Sequence, residues 1–580
     1  MRPNLLKRAH SHNKQTLNNL LHSRGTSPHP QPETISGHKQ IEEETLPKYN
    51  PDHWYPVRLG EVLHHRYEIV VKLGFGMTAT VWLARDLQAD GNAGNRKYVT
   101  VKINVNTLGE DFQKGRREIA QKLFSANPKH PGYSHVRFML DTFKVKGKHG
   151  DHLCIVYDVL REPIDLCMEK FPGRRFSCPK LRILLPALLQ GLDYMHSECH
   201  VVHTDLKADN IMMGLGDPNI LDHFVQNQID HPAPRKAPDG HGRVIYTSCS
   251  DFGEPPNEAV IASAKITDIG LAAWGDEKNT KPIQSNAFMA PEVILQAGWS
   301  YPADIWNLGV MLWDLFEHFG LFDRIDTKPG QYHPEQHLGL MIALMGPPPK
   351  DFLKRCAKAP LYFDSDGQFK YPEYIEDHTF ESSIVRLKGE EKEMFIDFAK
   401  KMIAWVPEER WTAKQLLEHP FLTKEKEFFS ATPSLSRAST ASISSMIPSR
   451  AVTPGIPPSG SPNPGPNSSP NSVPNTTLLP PRLLELVPSL SSAECESSTN
   501  CEETKTEKLA TNNEKSTSRT SLSLRPKMES LAESNNEPDV EVPNSKRLSV
   551  NKANKCSQDI IDAILSKGKN HNHRVSPEAK

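Results

Sequence analysis

The last quarter of the chain lacks the residues that usually fill a protein core. Residues 430–580 contain no Phe, Trp or Tyr and are dense in Ser, Pro, Asn, Thr and Glu. A segment of that composition buries too little apolar surface to offset the conformational entropy lost on folding. We therefore predict a disordered tail over 430–580 and, from a similar composition, a disordered N-terminal segment over 1–50. The remainder of the chain is long enough for two lobes with substantial cores.

Composition argues against several classes of protein. The formal net charge is −1, which gives no electrostatic reason to expect direct binding to nucleic acid or to a membrane surface. No apolar run is long enough to cross a bilayer as a helix, so we expect no membrane span. Nine cysteines are scattered without C-x-x-C spacing, which is typical of reduced intracellular thiols rather than of a disulfide framework or a zinc site.

The stretch 202–210 carries three polar residues at a spacing suited to phosphoryl transfer. Asp205 is followed by Lys207 at the second position after it and by Asn210 at the fifth. Transfer of a γ-phosphoryl group to a hydroxyl needs a carboxylate for the hydroxyl proton, a cation against the phosphoryl oxygens and a metal ligand nearby. We predict Asp205 and Lys207 as catalytic residues and Asn210 as a Mg²⁺ ligand. The alternative is a polar loop in which Asp and Asn cap the next turn.

Residues 67–84 predict two strands joined by a Gly-x-Gly turn. Glycine allows backbone N–H groups to approach a triphosphate closely. The predicted ATP-binding residues of this segment are Leu73, Gly74, Gly76 and Val81. Ala79 stands where G-x-G-x-x-G has its third glycine, so a plain β-hairpin is the alternative interpretation.

A lysine stands at the centre of the next predicted strand. Residues 98–105 alternate as a strand around Lys102, and Glu118 follows within a helical pattern. Most strand lysines face solvent. An ion pair between a strand lysine and a helix glutamate, however, holds the α- and β-phosphates of ATP. We therefore predict that Glu118 orients Lys102 towards the phosphates.

An apolar strand pattern over 153–160 runs into a polar connection. We interpret it as a hinge between two lobes. Asp158 and Leu160 are predicted to offer backbone groups to the adenine base.

Two D-x-G sequences compete for a second metal ligand. The one that begins at Asp251 is followed closely by two prolines, and no strand pattern precedes it. The one that begins at Asp268 follows the strand-like residues 264–267 and lies nearer to Ala290-Pro291-Glu292. We therefore predict Asp268 as the second Mg²⁺ ligand and reject Asp251.

These motifs, in this order, resemble those of eukaryotic protein kinases over residues 60–424. More narrowly, the chain is similar to the SR-protein kinase family of the CMGC group. The features that carry this similarity are Tyr55-Pro56-Val57 with Gly60-Glu61, the threonine of His203-Thr204-Asp205, an insert before Asp268, and residues 301–306.

The resemblance implies an α+β fold with two lobes. We expect an antiparallel β-sheet with one main helix in the N-lobe (about 60–158) and a mostly helical C-lobe (about 159–424). An insert of unassigned role is expected at about 214–263, and Arg410 is expected to pair with Glu292 and brace the C-lobe.

The resemblance also implies an ATP-dependent serine/threonine protein kinase that uses Mg²⁺. Members of the SR-protein kinase family phosphorylate serines in Arg-Ser repeats of splicing factors. CMGC kinases usually carry arginines where this chain has residues 285–289, which bears on its substrate preference. The alternatives are a pseudokinase that acts as a scaffold or binding module, and a dual-specificity kinase with other substrates.

The expected partners are protein substrates, without direct nucleic-acid or membrane binding, and we expect a monomer. We expect a cytoplasmic and nuclear location. Several Lys and Arg residues with no acidic residue before Glu33 leave a mitochondrial presequence as the alternative.

Two further features bear on regulation and substrates. Many kinases bind a phosphate on the activation loop through an Arg just before the catalytic Asp, but here that residue is Thr204. Phosphorylation of Thr280 or Ser285 should therefore not be required for activity.

Residues 364–381 carry an excess of acidic residues over a single lysine. This stretch is either a groove for Arg-rich substrates or a solvated loop.

Overall fold

The computed structural model describes residues 30–89, 97–217, 219–323, 325 and 332–423. The predicted tail over 430–580 lies outside the described residues, as do residues 1–29 of the predicted N-terminal segment. Described helices include none that is long and apolar enough to cross a bilayer. The cysteines among the described residues are all free thiols.

The strands of the described residues are short outside the N-lobe. In chain order they are β1 (Thr34–Ile35), β2 (Val62–Leu63), β3 (Tyr67–Gly76), β4 (Ala79–Asp86), β5 (Tyr98–Asn104), β6 (Met139–Gly147), β7 (Gly150–Tyr157), β8 (Val201–Val202), β9 (Ile211–Met212), β10 (Arg235–Lys236), β11 (Lys265–Ile266) and β12 (Ala273–Trp274).

The α-helices of the described residues lie mainly after the hinge. In chain order they are α1 (Glu110–Ser125), α2 (Ile164–Met168), α3 (Cys178–Asp193), α4 (Ile220–Asp230), α5 (Glu258–Ala262), α6 (Pro291–Ile294), α7 (Pro302–Phe316), α8 (Pro334–Met345), α9 (Lys350–Lys354), α10 (Ala359–Tyr362), α11 (Phe380–Ser383), α12 (Gly389–Lys400) and α13 (Ala413–Leu416).

One six-stranded antiparallel sheet forms the N-lobe, with the strand order β2-β3-β4-β5-β7-β6. Its strands are rich in β-branched and aromatic residues, which pack well on a pleated surface. One face buries a core that includes Ile69, Trp82 and Val101. The predicted two-lobed α+β fold, with a sheet and one long helix before the hinge, is confirmed.

Helix α7 is the central buried helix of the C-lobe. Nearly all of its residues are buried, and Trp306 and Trp313 are fully enclosed. The predicted pairing of Arg410 with Glu292 is confirmed, since two N–H···O bonds of 2.7 Å join their buried side chains. This ion pair fixes the segment after the activation loop against the last part of the domain.

The N-terminal segment is ordered further upstream than the sequence prediction placed it. Residues 30–50 were predicted to be disordered, but β1 pairs in parallel with β10 of the insert. Lys236 of β10 also forms an ion pair with Glu44 at 2.6 Å. The prediction was wrong for these residues because their order depends on contacts with a segment that is distant in the sequence.

The insert packs against both lobes. Tyr246 lies edge-on against Trp82 of the sheet, with 5.7 Å between ring centroids. The Cys249 N–H donates to the Lys72 carbonyl at 2.8 Å. On the other side of the cleft, Lys170 forms an ion pair with Asp251 at 2.6 Å. The insert therefore spans the edge of the cleft between the two lobes.

Candidate active site

A cavity of about 490 Å³ lies between the lobes, within the size range of small-molecule sites. Most of the predicted site residues line it: Leu73, Gly74, Gly76, Val81, Lys102, Leu160, Asp205, Lys207, Asn210 and Asp268. Glu118 and Asp158 are not among the lining residues. The structure thus brings together the glycine turn, the hinge and two loops of the C-lobe, which are far apart in the sequence.

A buried carboxylate on α7 positions the loop that carries Asp205. Asp304 is fully buried, and its two oxygens accept the backbone N–H groups of His203 at 2.7 Å and Thr204 at 2.9 Å. Thr204 has a φ of 73°, an uncommon left-handed conformation for a β-branched residue. Such strain persists only where surrounding bonds hold it, and it occurs often at functional sites. The Asp304 carboxylate supplies those bonds here.

Asp205, Lys207 and Asn210 form one hydrogen-bonded group. The Asn210 amide donates to the Asp205 carbonyl at 2.8 Å and to its carboxylate at 3.2 Å. Lys207 Nζ lies 3.3 Å from Asp205 Oδ2. Burial raises the pKa of Asp205, against the opposing charge of Lys207. Burial alone would lower the pKa of Lys207, but the Asp205 charge and then that of Asp209 raise it. The lysine therefore stays charged beside the carboxylate.

Asp268 lines the same cavity as this group. Its φ is 55°, in the left-handed region, and its Oδ1 accepts from Lys102 Nζ at 2.8 Å. His203 contacts the preceding Thr267 carbonyl at 2.8 Å, which ties the two loops together. The Asp268 side chain is 44% exposed, and partial loss of solvent in the cavity would raise its pKa. The charges of Lys102 and Arg116 outweigh this effect and hold the pKa of Asp268 well below its usual range. Asp268 therefore stays ionised at neutral pH.

The predicted ion pair between Lys102 and Glu118 is not formed. Glu118 is 52% exposed and lies 3.9 Å from Lys114 on the same helix, while Lys102 binds Asp268. Arg116 of α1 faces the cavity instead. A Cβ added to Gly270 would lie 2.5 Å from Arg116 Nη2. The orientation of α1 thus presents a cation where we predicted a carboxylate.

The glycine turn leaves open space above the cavity. Gly76 pairs with Ala79 at the end of the β3–β4 hairpin, and Gly74 pairs with Val81. Neither glycine has a positive φ, and a Cβ added to either would meet nothing within 4 Å. Internal packing therefore does not require glycine at Gly74 or Gly76. A close approach by a ligand would explain both residues.

The hinge leaves backbone groups free beside the cavity. Leu160 is buried, and neither its N–H nor its C=O bonds to another described residue. Buried backbone groups are almost always paired, so these two are placed to bind a ligand. Asp158 differs from the prediction, because its carbonyl already accepts from Arg137 Nη2 at 2.5 Å.

Sequence reasoning missed several residues that line the cavity, among them Arg116, Arg137, Ser248, Ser250 and Phe252. The last three belong to the insert, and only the folded chain brings them to the cavity. A lone arginine inside the apolar run 136–140 was the available sign that Arg137 has a special role.

A glutamine holds the activation segment, which runs from Asp268 to Glu292. Gln284 is buried, its amide donates to the Ala303 carbonyl at 3.0 Å, and its side-chain oxygen accepts the Ala290 N–H at 2.8 Å. The Gln284 N–H donates to the Thr204 carbonyl at 3.1 Å. Neutral hydrogen bonds therefore connect this segment to the catalytic loop.

Comparison with known proteins identifies the family to which the chain belongs. The protein kinase domain family matches residues 256–422. A serine/threonine protein kinase of Aspergillus fumigatus is 35% identical over 384 residues, which cover 66% of this chain and 91% of the relative. The chain belongs to the serine/threonine protein kinases. This kinase therefore uses ATP as a substrate and acts on proteins, and the comparisons give no support to the scaffold alternative.

Two other relatives refine the placement within protein kinases. The serine/threonine-protein kinase SRPK of Physarum polycephalum is 29% identical over 67% of this chain and 93% of its own length. The human dual specificity protein kinase CLK1 is 27% identical over 62% of this chain and 67% of its own length. The sequence resemblance to SR-protein kinases is thus confirmed at modest identity.

Proposed function

We propose that Asp205 is the catalytic base of this kinase and that Lys207 neutralises charge on the transferring phosphoryl group. The observation that carries the proposal is the shared cavity, in which Lys207 and Asn210 both contact Asp205. The carboxylate accepts the proton of a substrate hydroxyl as the oxygen attacks the γ-phosphorus. The adjacent ammonium favours the ionised form of Asp205, against the effect of its burial.

Lys102, Asn210 and Asp268 are proposed to hold the phosphates and Mg²⁺. The donor set suits this metal, because Asp268 stays ionised and the Asn210 side chain bonds internally only through its NH₂ group. The side-chain oxygen of Asn210 is therefore left for a ligand. Among the described residues no cluster of three or more His, Cys, Asp or Glu side chains could hold a metal by itself. Mg²⁺ usually keeps several waters and is bound through one or two carboxylates together with substrate phosphates. Bound Mg²⁺ neutralises charge on the β- and γ-phosphates.

The two D-x-G aspartates provide a matched test of this assignment. Asp268→Ala should abolish phosphotransfer because the anion opposite Lys102 is lost. Asp251→Ala should retain it, since Asp251 is 75% exposed and contacts only Lys170 and its own loop. The measurement is transfer of the γ-phosphate of ATP to a protein substrate at saturating Mg²⁺. Equal activity of the two variants would overturn the assignment.

Substrates rich in Arg and Ser are the substrate class that we propose. The similarity to SRPK supports this proposal, as do exposed carboxylates in 364–381 such as Glu373 and Asp377. Asp364 is excluded from this role, because it accepts the N–H groups of Asp366 at 2.9 Å and Gln368 at 2.8 Å. Carboxylates bind guanidinium groups with paired hydrogen bonds, which suits such substrates.

A charge reversal tests the substrate proposal. Changing Glu373, Glu376 and Asp377 to Lys should raise KM for an Arg-Ser peptide with little change in kcat, because binding remote from the reacting atoms is lost. The salt dependence of KM should flatten. The control is a second triple Lys variant, at the exposed positions Glu258, Glu393 and Glu418, with the same change in net charge. An equal rise in KM in both variants would contradict a specific groove. Cellular location and oligomeric state stay predictions.

A further inference from the structure

Arg137 is a further cation of the cavity and lies at its hinge end. Its backbone N–H donates to the Ile266 carbonyl at 2.9 Å, which fixes the start of β6 beside β11. Its guanidinium stacks on the Tyr157 ring, 4.8 Å from the ring centroid. Its Nη1 lies 3.7 Å from Met212 Sδ, so the charged group reaches across the back of the pocket. Arg137 thus lines the cavity beside the hinge.

No carboxylate among the described residues forms an ion pair with Arg137. Its side-chain partners there are a backbone carbonyl, a thioether and an aromatic ring, and its buried Nε has none. Burial lowers its pKa to about 10, so the guanidinium remains protonated at neutral pH. Arg137 is partly buried, and a cation withdrawn from water without enough acceptors is costly. The two Nη groups have only one carbonyl and one thioether between them, so a ligand with an acceptor at this end of the pocket would supply a partner that the protein does not.

The same arginine changes what the hinge offers to a base. The Asp158 carbonyl accepts from Arg137 Nη2 at 2.5 Å and from Thr100 Oγ1 at 3.4 Å. A carbonyl oxygen has two lone pairs. The acceptor that an amino group on the base would need is therefore largely occupied. The free N–H and C=O of Leu160 remain, and they suit a base that carries one acceptor and one donor side by side.

Purine bases differ at these two positions. Adenine carries an amino donor at C6 and an acceptor at N1, whereas guanine and hypoxanthine carry an oxo acceptor at C6 and an N1–H donor. We propose that Arg137 recognises the C6 oxo group and that this kinase uses GTP and ITP, as well as ATP, as phosphate donors. The inference rests on the proposed function of the site. The γ-phosphoryl group leaves GDP or IDP, bonds to the substrate oxygen, and the hydroxyl proton passes to Asp205.

The test compares donors in the full-length enzyme with one protein substrate. ITP lacks the 2-amino group of GTP and so isolates the C6 position. In the wild type, kcat/KM for GTP and ITP should lie within about tenfold of that for ATP. Arg137→Val should lower the GTP-to-ATP ratio of kcat/KM by about 10- to 100-fold, the effect of removing the donor for a buried acceptor. Arg137→Lys should retain part of the wild-type preference.

Arg116→Leu is the matched control. Arg116 lies beside Asp268, at the phosphate end of the cavity, so its loss should act on all three nucleotides alike and leave their ratios unchanged. Thermal stabilisation by ADP and by GDP measures base preference independently of catalysis. GDP should stabilise the wild type about as much as ADP does, and should stabilise Arg137→Val less.

Two results would overturn the inference while the kinase assignment stands. One is a wild type that uses ATP but discriminates against both GTP and ITP by more than about 1,000-fold. The other is a GTP-to-ATP ratio that is unchanged in Arg137→Val. If no nucleotide supports phosphotransfer, the proposed function fails, and the ADP and GDP melting curves still decide the base preference.

Discussion

Lys72 links three segments of the N-lobe, and its replacement gives a sharp prediction. Lys72 lies on β3 directly before Leu73, and its side chain is 1% exposed. It forms ion pairs with Glu43 and, at 3.3 Å, with Glu42, and it donates to the Tyr246 carbonyl at 3.1 Å. One ammonium group thus binds the N-terminal segment and the insert to the strand that leads into the glycine turn.

The two substitutions should lower the free energy of unfolding by different amounts, because they leave different groups without a partner. Lys72→Met leaves two carboxylates close together without a cation, and removal of one partner of a buried pair costs about 3–5 kcal/mol. Glu43→Gln leaves Lys72 with Glu42 and Tyr246, so the loss is that of one charged hydrogen bond, about 1.5–3 kcal/mol. The entropy of unfolding is about 2.1 cal/mol/K per residue, and the structure describes about 380 residues. A loss of about 3 kcal/mol should therefore lower Tm by roughly 4 °C.

Thermal unfolding of Lys72→Met, Glu43→Gln and the double variant measures these energies. The double variant should be less destabilised than the sum of the single variants, because the two residues interact directly. Lys114→Met is a control, since that lysine is 72% exposed and contacts only its own helix. A Lys72→Met protein as stable as the Lys114→Met control would refute the reasoning and the docking of residues 30–50.

Three further predictions concern pH, activation and the tail. In Lys207→Met, the acid limb of the kcat/KM profile should move to higher pH, because the lost charge raises the pKa of Asp205, whose ionised form is active. The double variant Thr280→Ala, Ser285→Ala should retain wild-type turnover in a peptide assay, since Gln284 already holds the activation segment; an inactive but folded variant would contradict this. Removal of 430–580 should leave kcat and Tm unchanged, and a lower Tm would show that the tail docks.

The parts of the site that share one loop or one strand were predictable from the sequence. Asp205, Lys207 and Asn210 lie in one short loop, so their spacing alone sets which side chains can meet. The choice of Asp268 over Asp251 depended on local strand and turn patterns, and the structure places Asp268 in the cavity. Local patterns also predicted the sheet and the central helix of the C-lobe.

The missed features depend on how distant segments dock. Arg116 and Glu118 are two positions apart on α1, so about 200° of rotation separates them, and the helical pattern does not say which one faces the cleft. The order of residues 30–50 requires β10 and the insert, which follow much later in the chain. No local pattern predicts such contacts, because residues 30–50 and the insert each have the composition of a polar loop when taken alone.

The most direct test of the central claim is phosphotransfer by Asp205→Ala. With ATP, Mg²⁺ and a protein substrate, the variant should lose activity by about a hundredfold or more, because the carboxylate that accepts the hydroxyl proton is lost. Its Tm should stay close to that of the wild type, which shows that the fold is retained. Wild-type turnover in a folded Asp205→Ala protein would contradict the assignment of this loop as the catalytic centre.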